Sequence, residues 1–307
     1  MATAHVRPLP TQLTNVAPGV YAFVQPDGGW CLNNAGLIVD GDDAIVIDTA
    51  ATERRARRLR QAVEQVTRRP PRVVVNTHFH GDHTFGNFVF RPDAVIVSHE
   101  AARTEAAVAD LGMRTLWPDV EWGDVELTLP NATYRDRMTL HVGDVRVELI
   151  HPGPAHTVTD TVVWVPDRSV LFVGDIVMSD VTPFCLMGSV SGSLRTIDWL
   201  RSLEPRTIVT GHGPVGGPEL LDAAEAYLRF VARLAEDGLR RGRTPLEAAR
   251  EASLGAFAAW RDPERLVGNL HRAYAERRGA PEGAPLNVLE IYREMEQLHG
   301  GPLPCHA

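Results

Sequence analysis

Asn76-Thr77-His78-Phe79-His80-Gly81-Asp82-His83 is the stretch on which the reading of this chain turns. Four side chains able to bind a metal fall within six residues, directly after the apolar run Val73-Val74-Val75. Histidines two apart on an extended loop can turn toward one ion. Asp82 and His83 lie one turn further on and can serve a second. Gly81 is expected to let the backbone pass close to the metals. Imidazole together with carboxylate suits zinc, and manganese or iron tolerate the same donors. A plain polar loop would rarely hold three His and an Asp this densely.

Working outward, Val20 to Val24 predicts a strand. Gly36 to Val39 and Ala44 to Ile47 predict a hairpin across Asp40-Gly41-Asp42-Asp43. Residues 51–66 predict a helix, with Ala56, Leu59, Val63 and Val66 on one face and most of the five arginines from Arg54 to Arg60 on the other. Pro70-Pro71 stops it before Val73. Residues 44–76 therefore form a β-α-β unit with neighbouring parallel strands. Further strands are expected at Ala94 to Val97, Thr139 to Val142, Val145 to Leu149, Thr161 to Val165, Ser169 to Val173 and Thr207 to Thr210, with a helix near 193–203. Two batches of strands with helices nearby suggest two sheets face to face, helices outside. Residues 1–18, with Pro8, Pro10 and Pro18, read as an irregular arm.

After Gly217 the pattern turns helical. One helix runs from Pro218 to about Arg241. Thr244-Pro245-Leu246-Glu247 has the signature of a capping box with Pro at the first helical position. Residues 262–278 predict a third helix, and Val288, Ile291, Tyr292, Met295 and Leu298 mark the apolar face of a last one. The division expected is 1–217 as a catalytic domain and 218–307 as a helical extension packed on it.

Composition narrows the function. The 307 residues are 44% hydrophobic and 23% charged, an ordinary globular balance. All 31 basic residues are Arg, so Schiff-base chemistry, pyridoxal phosphate attachment and a P-loop lysine are excluded. A net charge of −8 argues against a nucleic-acid binder. Cys31, Cys185 and Cys305 form no CxxC pair and read as reduced thiols. The first 27 residues carry no signal-like apolar stretch, and no run of about 18 apolar residues exists to span a membrane. The expectation is a cytoplasmic protein with a small-molecule substrate and neither nucleic acid nor membrane as partner.

Three more candidate ligands end or precede apolar strands beside Gly or Pro: His156 in Pro154-Ala155-His156-Thr157, Asp175 in Gly174-Asp175, and His212 in Gly211-His212-Gly213. The ordered combination His-x-His-x-Asp-His, then His-Thr, then Gly-Asp, then Gly-His-Gly resembles the metallo-β-lactamase superfamily across roughly residues 18–217. That resemblance implies an α+β fold, an αββα sandwich carrying the metal site at one edge. It implies His78, His80 and His156 on one metal, Asp82, His83 and His212 on a second, and Asp175 between them. Two Zn²⁺ are expected, with Mn²⁺ or Fe as substitutes. Two such ions about 3.5–4 Å apart can share a hydroxide with a pKa near neutrality. The reaction expected is hydrolysis of an ester, thioester, lactone or amide, with Asp82 orienting the nucleophile or shuttling its proton.

Within the superfamily the seven-ligand set is similar to the glyoxalase II and lactonase side. Many true β-lactamases use a Lys for the antibiotic carboxylate and a Cys where this chain has Asp175, so a β-lactamase is disfavoured. The set is also similar to that of RNase Z-like nucleases, but this chain's acidic charge and the absence of an inserted basic domain weigh against nucleic acid. A mononuclear iron enzyme resembling persulfide dioxygenases is the alternative in a different class, and a non-catalytic metal-dependent binder a third. For substrate contacts, Trp30, Phe184 and Tyr274 are the candidates, each weighed against simple packing. Ser179 to Ser193 is expected to border the pocket or pack on the sheet. Arg272, Arg277 and Arg278, near Tyr274, are weighed as glutathione-binding residues against helix-surface charge. Trp260, Leu266 and His271 are weighed for a substrate wall against helix packing. His99, His141 and His151 are assigned structural or surface roles. The C-terminal helices are expected to cap the groove or to form a homodimer contact.

Overall fold

The computed structural model describes residues 13–307. Seven strands form the first sheet, in chain order across it: β1 (Thr14–Ala17), β2 (Val20–Phe23), β3 (Ala35–Asp40), β4 (Asp43–Ile47), β5 (Val73–Val75), β6 (Val95–His99) and β7 (Ala132–Tyr134). β1 to β4 are antiparallel neighbours, whereas β4, β5, β6 and β7 run parallel. Ile45 pairs with Val73 across α1 (Glu53–Glu64), the β-α-β unit expected from 44–76. The second sheet has the order β12-β11-β10-β9-β8, from β8 (Arg137–Val142), β9 (Val145–Ile150), β10 (Val162–Val165), β11 (Val170–Phe172) and β12 (Thr207–Val209).

The period-2 alternation of the strands builds the layers. Ile45 and Ile47 of β4 face the inter-sheet core with Ile38, Val147, Val163, Val165 and Phe172. Ala44 and Val46 point the other way, onto Leu59 and Val63 of α1. Val162 and Trp164 of β10 leave the second sheet on its outer side, toward α4 (Val190–Arg201), α5 (Glu219–Arg240), α7 (Arg265–Arg277) and α8 (Val288–His299). This is the αββα sandwich. The C-terminal helices have no apolar core apart from it: Leu228, Leu270 and Met295 share one cluster with Leu171 and Ile208 of the second sheet. Thr244 caps α6 (Pro245–Glu251) with the capping box expected. No helix among the described residues is long and apolar enough to cross a membrane.

Three departures have physical causes. Thr14–Ala17, expected within an irregular arm, is an edge strand, because its backbone finds β2 two residues on, Thr14 opposite Ala22. Residues 1–12 of that arm lie outside the described residues. The stretch 100–138, which carries no expected element, holds α3 (Glu100–Ala109) and the three-residue β7, a strand too short for any periodicity. Arg55 leaves the solvent face of α1 and is buried, donating to Gln25 Oε1 at 2.8 Å and to the His306 carbonyl at 2.8 Å.

Candidate metal centre

The loops that follow β4, β5, β11 and β12, and the loop before β10, meet at one place. β5 stops at Val75, where Asn76 and Asn87 exchange side-chain amide hydrogen bonds at 3.0 and 2.9 Å and fix the exit of the chain. One helical turn, α2 (Gly81–Thr84), then sets Asp82 and His83 side by side. Gly81 has a packing reason of its own. A Cβ there would lie 2.4 Å from the Phe85 ring, so the packing of that ring demands the glycine. At Gly211 a Cβ would lie 1.9 Å from Asp175 Oδ1, which is why that ligand loop needs Gly.

All seven expected ligands come together. His80 Nδ1 lies 3.1 Å from His78 Nε2 and 2.9 Å from His156 Nε2. Asp175 Oδ2 is 3.5 Å from His156 Nε2, 3.9 Å from His78 Nε2 and 3.4 Å from His212 Nε2, and its Oδ1 is 3.1 Å from His83 Nε2. Asp82 Oδ2 is 3.2 Å from His212 Nε2 and 3.8 Å from His83 Nε2. His78, His80, His156 and Asp175 thus form one donor group, and Asp82, His83 and His212 an adjoining one.

The far nitrogens decide which atoms remain free. His156 Nδ1 donates to the Phe184 carbonyl, His212 Nδ1 to the Gly28 carbonyl at 2.9 Å, and His83 Nδ1 to Asp48 Oδ2 at 2.8 Å. The Thr77 hydroxyl donates to Asp48 Oδ2 at 2.7 Å, so at 3.1 Å it accepts from His78 Nδ1. These partners assign the tautomers and leave four Nε2 lone pairs aimed inward. His83 Nε2 and Asp175 Oδ1 are buried and make no hydrogen bond. Nitrogens on a tetrahedral ion at 2.0–2.1 Å sit roughly 3.3 Å apart, close to the spacing around His80. The donor set fits divalent cations.

Electrostatics agree. Burial holds His78, His80 and His156 below their ordinary pKa, His80 at about 3, so they are neutral donors. Burial would lower His83 and His212 as well, but the Asp175 carboxylate, aided by Asp82 and, for His83, Asp48, raises both, His212 to about 9. Against burial, these imidazoles hold Asp175 well below the carboxylate range and Asp82 at about 2. The pull of Asp175 and Asp82 on these two imidazoles is negative potential at the place where a cation would sit.

A cavity of about 230 Å³ opens over His80, Asp82, His156, Asp175 and His212. Trp30 and Phe184 line it, their rings in edge contact at 5.5 Å, and Met187 of the 179–193 segment joins them with Met178 just before it. Trp30 is also packed, its Nε1 donating to Glu264 at 2.6 Å and its ring under the Arg265 guanidinium at 4.0 Å. Tyr274 is a correction. It lies outside the lining, buried between α7 and α5, with its hydroxyl against Gly238, because its phase on α7 turns it toward the neighbouring helix. Arg272 donates to the Leu186 and Ala284 carbonyls, Arg277 to the Ala232 carbonyl, and Arg278 lies over Tyr274. Trp260 packs on Tyr227 and Phe257, and His271 pairs with Glu294 at 2.8 Å. His99 and His151 stack on each other at 4.0 Å, and His141 is exposed on β8.

Two contributors escape sequence reasoning. Asp48 holds His83 and Thr77 from the end of β4, at a left-handed φ of 58°. Its signal, an Asp closing an apolar strand, is the same as that of Asp175. Tyr292 of α8 is the tyrosine that lines the cavity.

Residues 28–212 match the family described as the metallo-beta-lactamase superfamily. Over 149 residues the chain is 28% identical to the 2,4-dinitroanisole O-demethylase subunit alpha of Nocardioides sp. (strain JS1661), covering 48% of this chain and 42% of that protein. It is 21% identical to the metallo-beta-lactamase type 2 of Bacteroides fragilis, over 68% of this chain and 82% of that one. Among solved structures, a metallo-beta-lactamase from Pontibacter korlensis superposes with a TM-score of 0.61 at 21% identity, over 71% of this chain and 98% of its own. With that match and that fold, the chain belongs to the metallo-beta-lactamase superfamily.

Proposed function

We propose that this protein is a dinuclear metal-dependent hydrolase acting on an ester, thioester, lactone or amide carbonyl. The observation that carries the reading is the convergence of the imidazole lone pairs with Asp82 and Asp175 on the floor of a cavity. His78, His80 and His156 would hold one ion and Asp82, His83 and His212 the other, with Asp175 shared. Two Zn²⁺ suit these donors, and Mn²⁺ or Fe would be tolerated. Such ions supply, when bound, Lewis acidity toward a carbonyl oxygen and a water nucleophile acidified toward neutral pH.

The chain's own residues do the rest. Asp82, at the cavity floor, takes up the nucleophile's proton and returns it to the leaving group. Phe184 anchors His156 through its carbonyl, and Gly28 anchors His212, so the ligands need no rearrangement during turnover. Trp30, Phe184 and Met178 exclude water from the reacting carbonyl. The relatives include a β-lactamase, an alkylsulfatase and an O-demethylase by name, which suits one centre serving different substrates. A small-molecule substrate fits the cavity, and the free thiols Cys31, Cys185 and Cys305 suit a reducing cytoplasm.

The test is metal analysis coupled to a panel of thioesters, lactones, phosphodiesters and β-lactams. The expected result is turnover that disappears on chelation and returns with zinc, and that His80→Ala and Asp82→Ala abolish while lowering metal content. Full activity in metal-free protein would refute the proposal. Iron with oxygen consumption on glutathione persulfide would support the dioxygenase-like alternative.

A further inference from the structure

The segment that follows α8 folds back onto the wall of the metal cavity and is held there at two points. Trp117 Nε1 donates to the Leu303 carbonyl at 2.9 Å, and Arg55 Nη2 donates to the His306 carbonyl at 2.8 Å. Cys305 lies between these anchors. The Trp117 ring packs on Trp30 at 5.6 Å between centroids, and Cys31 is the next residue after Trp30. The anchors thus bring two cysteines from opposite ends of the described chain together. The Cys31 thiol has the Cys305 thiol as its hydrogen-bond partner. Both side chains belong to one apolar cluster, and Arg55 lies within electrostatic reach of both sulfurs.

The surroundings of the three thiols differ. Cys185 Sγ faces Ser193 Oγ at 3.4 Å, in a buried setting without a second thiol. Cys31 is buried and Cys305 half-buried. Burial keeps the Cys31 thiol protonated, so Cys305 is the sulfur that a dissolved reagent meets first. The loop that carries Cys31 also supports a ligand. The Gly28 carbonyl accepts from His212 Nδ1, the Asn34 N–H donates to the Gly211 carbonyl at 2.6 Å, and Asn34 Nδ2 donates to the Gly213 carbonyl at 2.7 Å.

We propose that Cys31 and Cys305 are a redox-sensitive pair that closes to an intramolecular disulfide, stapling residues 303–306 to the 28–34 loop. The oxidant is a small-molecule disulfide such as oxidised glutathione. The Cys305 thiolate attacks one of its sulfurs and expels a glutathione thiolate. The Cys31 thiolate then attacks Cys305 Sγ and expels the second. The two protein thiols lose two electrons and two protons, and the oxidant leaves as two molecules of reduced glutathione. In reducing surroundings the pair stays open. Closing it links the segment after α8 to the residue beside Trp30, and the long loop so formed restricts the unfolded chain. The pairing is independent of which substrate the metal centre takes.

The experiment incubates the full-length protein in glutathione buffers from fully reduced to fully oxidised until the thiol count is constant. Acid quenching, alkylation and mass spectrometry then count and map the thiols. The expected result is a fall from three free thiols to one, with no glutathione retained, a monomer on a non-reducing gel, and a linked peptide pair carrying Cys31 and Cys305. The melting temperature rises by about 5 °C or more and returns on reduction. Cys185→Ser keeps both effects. Cys305→Ser, at a half-buried position outside the helices, melts like the reduced wild type and loses both effects. Three free thiols at the oxidising end overturn the pair. So do a single glutathione left on Cys305, a disulfide-linked dimer, or a bridge to Cys185. A correctly linked disulfide that leaves the melting temperature unchanged overturns the staple.

Discussion

Asp48→Asn should weaken one of two metal-binding steps and spare the other. Asp48 Oδ1 accepts from the Thr77 backbone N–H at 2.7 Å, and Oδ2 accepts from the Thr77 hydroxyl and from His83 Nδ1. The Thr77 N–H can only donate, so the Asn oxygen must take the place of Oδ1. The amide nitrogen then replaces Oδ2. The Thr77 hydroxyl has two lone pairs and can accept from both the new amide and His78 Nδ1. His83 has no such freedom: its Nδ1 must become the acceptor, and its proton moves to Nε2, the atom 3.1 Å from Asp175 Oδ1. That proton closes the lone pair a cation would use. Asn tolerates the left-handed φ of 58°, so the backbone has no reason to move. Loss of an outer partner of this kind costs about 10–100-fold in affinity, or ~1.4–2.8 kcal/mol. The assay is stepwise metal release to a competing chelator. One step should weaken by that factor while the step belonging to His78, His80 and His156 stays in place. Two unchanged steps, or equal weakening of both, would refute the tautomer argument.

Two further perturbations probe a ligand loop and a buried carboxyl beside Arg265. Gly211→Ala sets a methyl group 1.9 Å from Asp175 Oδ1 and 2.6 Å from the Gly174 carbonyl carbon, so the carboxylate must shift. Metal content should fall by at least half and hydrolysis should vanish, with about 1–3 kcal/mol of overpacking cost in thermal melts. Native metal content and rate would count against the geometry. Asp262→Asn tests linkage: burial raises the Asp262 pKa to about 6, partly offset by Arg265. A raised carboxyl pKa gives stability that is full below the unfolded value near 3.8 and is lost as pH rises through 6. From pH 4 to pH 7 the wild type should therefore lose up to about 3 kcal/mol relative to the variant, two pKa units at 1.36 kcal/mol each. Parallel stability–pH curves for the two proteins would contradict it.

The ligands were legible because their chemistry is local. His78, His80, Asp82 and His83 announce themselves by density. His156, Asp175 and His212 do so by closing or preceding apolar strands beside Gly or Pro, where a sheet turns its loops out. Asp48 follows the same grammar after Ala44-Ile45-Val46-Ile47, but an Asp alone has no partner in sequence: its His is 35 positions away. The tyrosines show the other limit. Tyr274 and Tyr292 both sit on the apolar face of an amphipathic helix, and periodicity treats them alike. Which face meets α5 and which meets the cavity is set by how α7 and α8 cross the second sheet, and that crossing depends on contacts hundreds of residues apart.

The missing lysine gains a structural meaning from the same contacts. Arg55, Arg265 and Arg272 are among the largest fully buried side chains. Each works as a pin. Arg55 ties α1 to Gln25 and to the His306 carbonyl. Arg265 ties α7 to the Thr182 carbonyl and stacks on Trp30. Arg272 clasps the Leu186 and Ala284 carbonyls, two residues from the Phe184 carbonyl that fixes His156. A planar fork of donors, weakly hydrated and always charged, can satisfy two carbonyls and a ring face at once, where an ammonium would bury a strongly hydrated point charge. In this chain arginine is therefore more than surface charge, and two of the pins, Arg265 and Arg272, hold the 182–186 segment whose Phe184 carbonyl fixes His156, Arg265 also holding the tryptophan that walls the cavity.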